Sequence, residues 1–266
     1  MTAARARLDA ELVRRGLARS REQAGELVAA GRVAVAGQPA AKPATQVGRD
    51  TPITVTDSDE PGYVSRGGNK LAGALAAFKP QGLIVSGRNA LDAGASTGGF
   101  TDVLLRAGAA QVVAADVGYG QLAWVLRTDP RVTVMDRVNV RTLEQVTPVP
   151  DLVVADLSFI SLTLVLSALV GAAAPEADFV LLVKPQFEVG KGRVGAGGVV
   201  RDSTDRSASI EKVAGAAGEL GLGVQGITAS PLPGPAGNVE YFLWLRRGAP
   251  PLDPSQLRRA IEEGPS

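Results

Sequence analysis

Leu91-Asp92-Ala93-Gly94-Ala95-Ser96-Thr97-Gly98-Gly99-Phe100 is the stretch whose reading decides the fold. Within it, Gly94 to Gly98 satisfies G-x-S-x-G, the strand-to-helix elbow on which serine hydrolases mount their nucleophile. Such a serine needs an imidazole to take its proton, and the chain contains no His and no Cys. The triad cannot be built. The alternative is a strand over 90–93, a glycine-rich turn and a helix over 100–106. A turn without Cβ atoms lets a cofactor approach the backbone at the edge of an α/β sheet. Ser96 is then a small lining residue, and catalysis belongs to other side chains.

The flanking sequence supports that reading. Apolar runs at 112–115, 132–135, 152–155 and 179–183 follow the first strand at intervals that admit helices, including one over 162–169, the pattern of a doubly wound parallel sheet. A helical stretch over 210–220 precedes two further strands, 223–229 and 240–246. These are joined by the Pro-rich connector Ser230 to Asn238, and a connector of that length inside a compact domain is often functional. The N-terminal segment reads differently. Leu8, Leu12, Val13 and Leu17 fall at helical spacing, Ser20 with Gln23 looks like the cap of a second helix reaching Ala30, and short strands follow at 33–35 and 53–55. Two domains are expected, residues 1–58 and 65–266, joined by a linker over 59–64.

Composition bounds the chemistry. With 266 residues, 45% of them hydrophobic, the chain can bury one α/β core and support a smaller domain. Its formal net charge is +1, but residues 1–49 hold nine Lys or Arg against four Asp or Glu. That asymmetry points to a polyanion partner for the first domain. The lack of Cys and His removes disulfides, thiolate zinc sites and covalent thiol catalysis, and no metal is expected. Residues 1–20 are too charged for a signal peptide, and 162–174 is too short to span a bilayer. A cytoplasmic protein is expected, with no membrane partner.

Asp116 lies twenty-two residues beyond Gly94 at the end of the second strand, where a carboxylate can accept hydrogen bonds from a ribose. NAD and S-adenosylmethionine both present one. The dinucleotide fingerprint needs Gly at position 96, where the pyrophosphate would sit; Ser96 favours S-adenosylmethionine. Asp136, past the third strand, is placed at the adenine edge. Methylation of cytosine C5 requires a Cys nucleophile, and exocyclic amino methylation usually follows an (Asn/Asp)-Pro-Pro-Tyr motif, where this chain has Asp156-Leu157-Ser158-Phe159. A ribose 2′-hydroxyl remains, a weak acid that must lose its proton as it attacks. Lys184, ending the strand at 179–183, is the candidate base. A lysine serves only when neutral, which calls for burial and a neighbouring cation, with Lys70 the candidate. Asp156 is placed to orient Lys184, and Glu240 to fix Lys70.

Several stretches now resemble one family: Arg7-Leu8-Asp9, Ser65-Arg66-Gly67, Lys70-Leu71, 91–100, 115–122, 156–161, 183–190 and 237–241. Across essentially its whole length the chain is similar to the TlyA family of ribosomal RNA 2′-O-methyltransferases. The resemblance implies a Rossmann-like, doubly wound FtsJ-like methyltransferase domain preceded by a small α/β S-four-type RNA-binding domain. It implies a Lys-Asp-Lys-Glu tetrad at Lys70, Asp156, Lys184 and Glu240, and S-adenosylmethionine held by Gly94, Ser96, Thr97, Gly98, Gly99, Asp116, Asp136, Asp156 and Phe159. It also implies a monomer acting on cytidine in ribosomal RNA and ribosomal subunits. The full-length N-terminus and the tail through Arg259 resemble members acting on both 16S and 23S RNA, and loss of the marks is associated in the family with resistance to capreomycin-like inhibitors. Arg5, Arg7, Arg21 and Lys42 match basic positions set against phosphates, and Asn69, Arg137 and Lys191 are candidates for gripping RNA near the target. Pro61 and Tyr63 stand where relatives commonly carry a basic residue and a Trp. The competing classes are a ribosome-assembly factor with an idle methyltransferase domain, a membrane-active haemolysin and a nicotinamide oxidoreductase.

Overall fold

The computed structural model describes residues 5–29, 32–40, 42–55 and 62–264. The chain divides into two compact units, residues 1–65 and 66–266. Residues 59–61 of the expected linker, and Ala30 at the expected helix end, lie outside the described residues.

The first unit runs β1 (Arg5–Arg7), α1 (Leu8–Arg14), α2 (Arg21–Ala29), β2 (Val33–Val35), β3 (Gln38–Pro39), β4 (Gln46–Gly48) and β5 (Ile53–Val55). Leu8 and Leu12 on α1, with Ala24, Leu27 and Val28 on α2, recur at intervals of three and four, so each set shares one face. These faces bury against Val33 and Val47. Gly16, at φ +72°, turns the chain out of α1, a conformation that costs glycine least. Ser20 Oγ accepts from Gln23 N at 3.1 Å, and Gln23 Oε1 reaches back to Arg19 N at 2.6 Å rather than to Ser20. The expected helix-helix-strand module gains three short strands: β1 pairs antiparallel with β4, and β3 extends the β2–β5 pair.

The second unit opens with α3 (Gly67–Phe78) and continues β6 (Asn89–Ala93), α4 (Gly99–Arg106), β7 (Gln111–Asp116), α5 (Trp124–Arg127), β8 (Val132–Asp136), β9 (Leu152–Ala155), α6 (Leu166–Ala172), β10 (Asp178–Val183), α7 (Pro185–Glu188), α8 (Ser203–Glu219), β11 (Leu222–Ala229), β12 (Tyr241–Arg247) and α9 (Pro254–Glu262). Its seven-stranded sheet has the order β11-β12-β10-β9-β6-β7-β8. β9 and β10 are buried along their whole length, as strands covered on both faces must be.

Two expectations need correction. The sheet is not wholly parallel: β12 runs antiparallel to both β10 and β11. The 230–238 connector carries no crossover helix, and such a link returns the next strand antiparallel. The helix expected over 162–169 is a 3-10 turn at Leu162–Leu164 followed by α6.

β6 has β7 on one side and β9 on the other, so the strand order reverses beside it. The crevice at such a switch point, past the carboxyl ends of the strands, is where open α/β sheets bind ligands. The glycine turn leaves β6 at that point.

Candidate active site

The turn after β6 is shaped by close approach. Gly94 has φ +85°, and a Cβ there would stand 2.7 Å from Asp156 O and 2.9 Å from Leu157 Cδ2, so a side chain would push against the segment leaving β9. Ser96, at φ +48°, and Gly98, at φ +98°, are also left-handed. A Cβ at Gly98 would meet Leu126 Cδ1 at 2.2 Å, which lets α5 close over the turn; Ala123 N donates to Thr97 O at 3.1 Å. Ser96 and Thr97 are exposed, while Gly98 and Gly99 are buried where α4 starts.

Three acids surround this turn. Asp116, at the end of β7, accepts from Ser96 N at 2.9 Å through Oδ2 and from Gly118 N at 2.7 Å through Oδ1. It therefore holds the turn in shape, and each oxygen keeps a lone pair for a ribose hydroxyl. Asp156 is the first residue past β9, and its backbone N donates to Ala93 O. Asp92, inside β6, is fully buried and was not singled out from sequence. Its Oδ2 accepts from Thr101 Oγ1 at 2.7 Å, and its Oδ1 has no partner among the described residues. Burial, reinforced by the Asp156 and Asp116 carboxylates and opposed by the Thr101 hydrogen bond, pushes the Asp92 carboxyl up to about 7. A carboxylate candidate embedded in an Ala/Leu strand two residues before a left-handed glycine was the available signal. Asp136, at the end of β8, is held by Arg127 at 2.6 Å, and that hydrogen bond keeps its carboxyl below the usual range.

The polar edge lies on the other side of β6. Lys184, the residue after β10, places Nζ 2.5 Å from Asp156 Oδ1 and 3.0 Å from Ser158 Oγ. Lys70, one turn into α3, places Nζ 2.6 Å from Glu240 Oε2, with both side chains at 5% exposure or less. α3 is seated there because Gly73 has no side chain: a Cβ would stand 2.6 Å from Pro231 Cγ of the connector that leads to Glu240. Val183 pairs with Tyr241, so extending that antiparallel register by one step sets Lys184 opposite Glu240. Both lysines thus have a carboxylate as direct partner. The four expected residues form two pairs, Lys70 with Glu240 and Lys184 with Asp156, so the direct partner of Lys184 is a carboxylate and not the Lys70 cation expected beside it. Ser158, the second partner of Lys184, is not among the residues expected from sequence; its place two residues after Asp156 is the clue.

Phe159, at φ +64°, is 92% exposed at the rim, its ring 5.3 Å from that of Phe187. Arg137, at φ +60°, stacks its guanidinium 4.4 Å from the Tyr119 ring. Asn69 is exposed next to Lys70, and Lys191 begins a 3-10 turn at 191–193. In the first unit, Arg7 and Arg21 converge on Asp9, at 2.8 and 3.0 Å. The Arg7 hydrogen bond and that of Arg21 hold its carboxyl well below the usual carboxylate range. Arg5 lies two residues from Arg7 on the same face of β1, and Lys42 lies on the turn whose Pro43 O accepts from Asp9 N at 3.0 Å.

These two units correspond to two families. The FtsJ-like methyltransferase model matches residues 63–247, and the S4 domain model matches residues 6–53. The chain is 61% identical, over 99% of its length and 100% of the relative's, to the 16S/23S rRNA (cytidine-2′-O)-methyltransferase TlyA of Mycobacterium tuberculosis. It is 36% identical, over 89% of its length and 98% of the relative's, to Hemolysin A of Brachyspira hyodysenteriae. A solved Streptococcus thermophilus chain labelled a hemolysin superposes with a TM-score of 0.76 at 39% identity, covering 97% of this chain and 95% of that one. With a full-length relative at this identity and both domain models in order, the chain belongs to the TlyA family of S4-containing, FtsJ-like methyltransferases.

Proposed function

We propose that the chain uses S-adenosylmethionine to methylate the 2′-hydroxyl of cytidine in 16S and 23S ribosomal RNA. The observation that carries this reading is the buried amine of Lys184, bracketed by Asp156 and Ser158 across the switch point from the glycine turn. A neutral lysine amine has two N–H donors and one lone pair. Asp156 and Ser158 take two N–H donors of Lys184, which leaves its one remaining position for a ribose hydroxyl, whose proton it accepts once the amine is neutral. Lys70 and Glu240 brace the neighbouring position as a buried pair, which fixes charge beside the reacting oxygen.

When bound, S-adenosylmethionine supplies an electrophilic methyl group on a sulfonium of net positive charge. The acids around the turn suit a cation: Asp116 and Asp156 lie close enough to act on Asp92, which sits behind them with a buried oxygen that has no partner among the described residues. In this reading the backbone of Gly94, Ser96, Thr97, Gly98 and Gly99 receives the amino-acid end, Asp116 the ribose and Asp136 the adenine edge. Asp156 and Phe159 border the methyl end. Lys184 would hydrogen-bond the 2′-hydroxyl and take its proton as the oxygen gains the methyl group, and the sheet behind it excludes water.

Arg5, Arg7, Arg21 and Lys42 supply phosphate contacts from the S4 domain, and Asn69, Arg137 and Lys191 grip RNA near the target. Phosphate contacts fix register without reading bases, so the choice of cytidine falls to the catalytic face. The partner is a ribosomal subunit, the working unit is a monomer, and the site of action is the cytoplasm. The hemolysin label of some relatives implies membrane action, but among the described residues no helix is long and apolar enough to cross a membrane.

The test is to incubate the purified chain with S-adenosylmethionine and separated small and large ribosomal subunits, then map the RNA by mass spectrometry. The expected product is 2′-O-methylcytidine in both. RNA binding with no methyl transfer would replace this reading with that of an assembly factor.

A further inference from the structure

We propose that Glu188 is a positioning residue that sets Lys184 against Asp156, a role that rests on the methyl-transfer reading above. Glu188 ends α7, four residues past Lys184, and its side chain is 1% exposed. Its carboxylate crosses to the segment that leaves β9. Oε2 accepts from Ser161 Oγ at 2.5 Å, and Oε1 accepts from the backbone N of Leu162 at 2.7 Å. From α8, Lys212 Nζ donates to Glu188 O at 2.9 Å and lies 3.3 Å from Oε2. One buried carboxylate therefore ties together the two loops that carry the catalytic candidates.

The backbone does not make that tie. β9 and β10 are paired only as far as Ala155 and Leu181; β10 runs on to Val183 against β12, while the chain past Asp156 leaves the sheet as a loop. Three side-chain rungs span the gap instead: Lys184 to Asp156 and Ser158, Phe187 to Phe159, and Glu188 to Ser161 and Leu162. The first rung is the reacting one and must accommodate substrate. The second is a ring contact that tolerates sliding. The first rung is charged too, but its Asp156 is 23% exposed; the third sets directional, charge-assisted hydrogen bonds on a carboxylate that is 1% exposed, the kind that fixes one geometry. Its place one helical turn beyond Lys184 makes it the anchor for the distance between Lys184 Nζ and Asp156. A structural staple alone could be apolar; burying a carboxylate carries a desolvation cost, offset here by Ser161, Leu162 N and Lys212.

The test uses the full chain with Glu188→Ala, Glu188→Gln and Ser161→Ala. Glu188→Ala is expected to lower kcat on the order of 10- to 100-fold, the scale of an ångström-level misplacement, with S-adenosylmethionine affinity and the KM for subunits near those of the parent. Glu188→Gln keeps an acceptor for Leu162 N and a partner for Ser161, and is expected to restore most of the rate. Ser161→Ala removes one bond and should fall between them. A second readout needs no activity: brief acetic anhydride labelling, read by mass spectrometry as the ratio of Lys184 to Lys70 modification. That ratio should rise several-fold in Glu188→Ala as Lys184 loses its bracket. An unchanged ratio in Glu188→Ala, or a parental kcat, overturns the proposal. A raised ratio in a chain whose parent transfers no methyl group would break the proposed function and leave the positioning role standing.

Discussion

In the N-terminal unit the Arg7 and Arg21 guanidinium groups share one carboxylate, and at the candidate site of the C-terminal unit Lys70 and Lys184 each have a carboxylate of their own. Arg7 and Arg21 face Asp9 with side chains 47% and 60% exposed, whereas Lys70 and Glu240 meet at 5% and 1%. The chemistry of the pairs is the same, but the solvent is not. Asp9 itself is 7% exposed, but on the arginine side water screens the attraction, and the N–H groups not bonded to Asp9 are open to a phosphate. In the interior each charge depends on its partner, because an ion left alone there carries its full desolvation cost. Exposure thus separates charges suited to holding a polyanion from charges suited to handling a proton.

The largest effect should come from Lys184→Ala. Removing the proton acceptor is expected to lower methyl transfer on the order of 10²- to 10⁴-fold, measured with tritiated S-adenosylmethionine. Next is Glu240→Ala, which strands Lys70 and should destabilise the second unit by about 3–5 kcal/mol in urea unfolding. If Glu240→Ala melts like the parent, the buried half of the comparison is wrong.

Asp92 sharpens the same point through pH. Its carboxyl is raised to about 7 by burial, so between about 4 and 7 the unfolded chain ionises at this position and the folded chain does not. That difference removes stability as pH rises, with the full contribution present below 4. Asp92→Asn should therefore gain on the parent across this window, by roughly 2–4 kcal/mol above pH 7, and show no gain at pH 4. Equal gains at both pH values would deny the shift. The smallest effect is expected at the surface. Arg21→Ala should change stability by less than about 1 kcal/mol, weaken RNA binding, and reduce the slope of log K against log salt by about one.

Much of the second unit was legible because its strands are short apolar runs bounded by turns. The segment 152–155 coincides with β9, and 179–183 falls one residue short of β10. The direction of β12 was not legible, since an apolar run does not state which way it runs; that follows from the connector and from pairing with β10. α3 escaped notice because it opens on Gly67-Gly68, residues of poor helix propensity, and is held by packing of Gly73 against Pro231. β1 and β4 are three residues each, and their pairing spans some forty residues of sequence. At the site, Lys70, Asp156, Lys184 and Glu240 stood out because each charge sits at the end of an apolar run or within a family motif. Asp92, Ser158 and Glu188 did not. An acid inside a strand, a serine in a loop and a glutamate on a short helix acquire meaning only from partners distant in sequence.

The claim that buried pairs act on the proton and surface pairs hold the RNA is tested most directly by assaying Lys184→Ala and Arg21→Ala side by side, for subunit binding and for single-turnover formation of 2′-O-methylcytidine. Lys184→Ala is expected to bind subunits and S-adenosylmethionine as the parent does and to form product on the order of 10²- to 10⁴-fold more slowly. Arg21→Ala is expected to bind subunits more weakly and, at saturating subunit, to turn over at the parental rate. Methylation by Lys184→Ala at the parental rate would contradict the account.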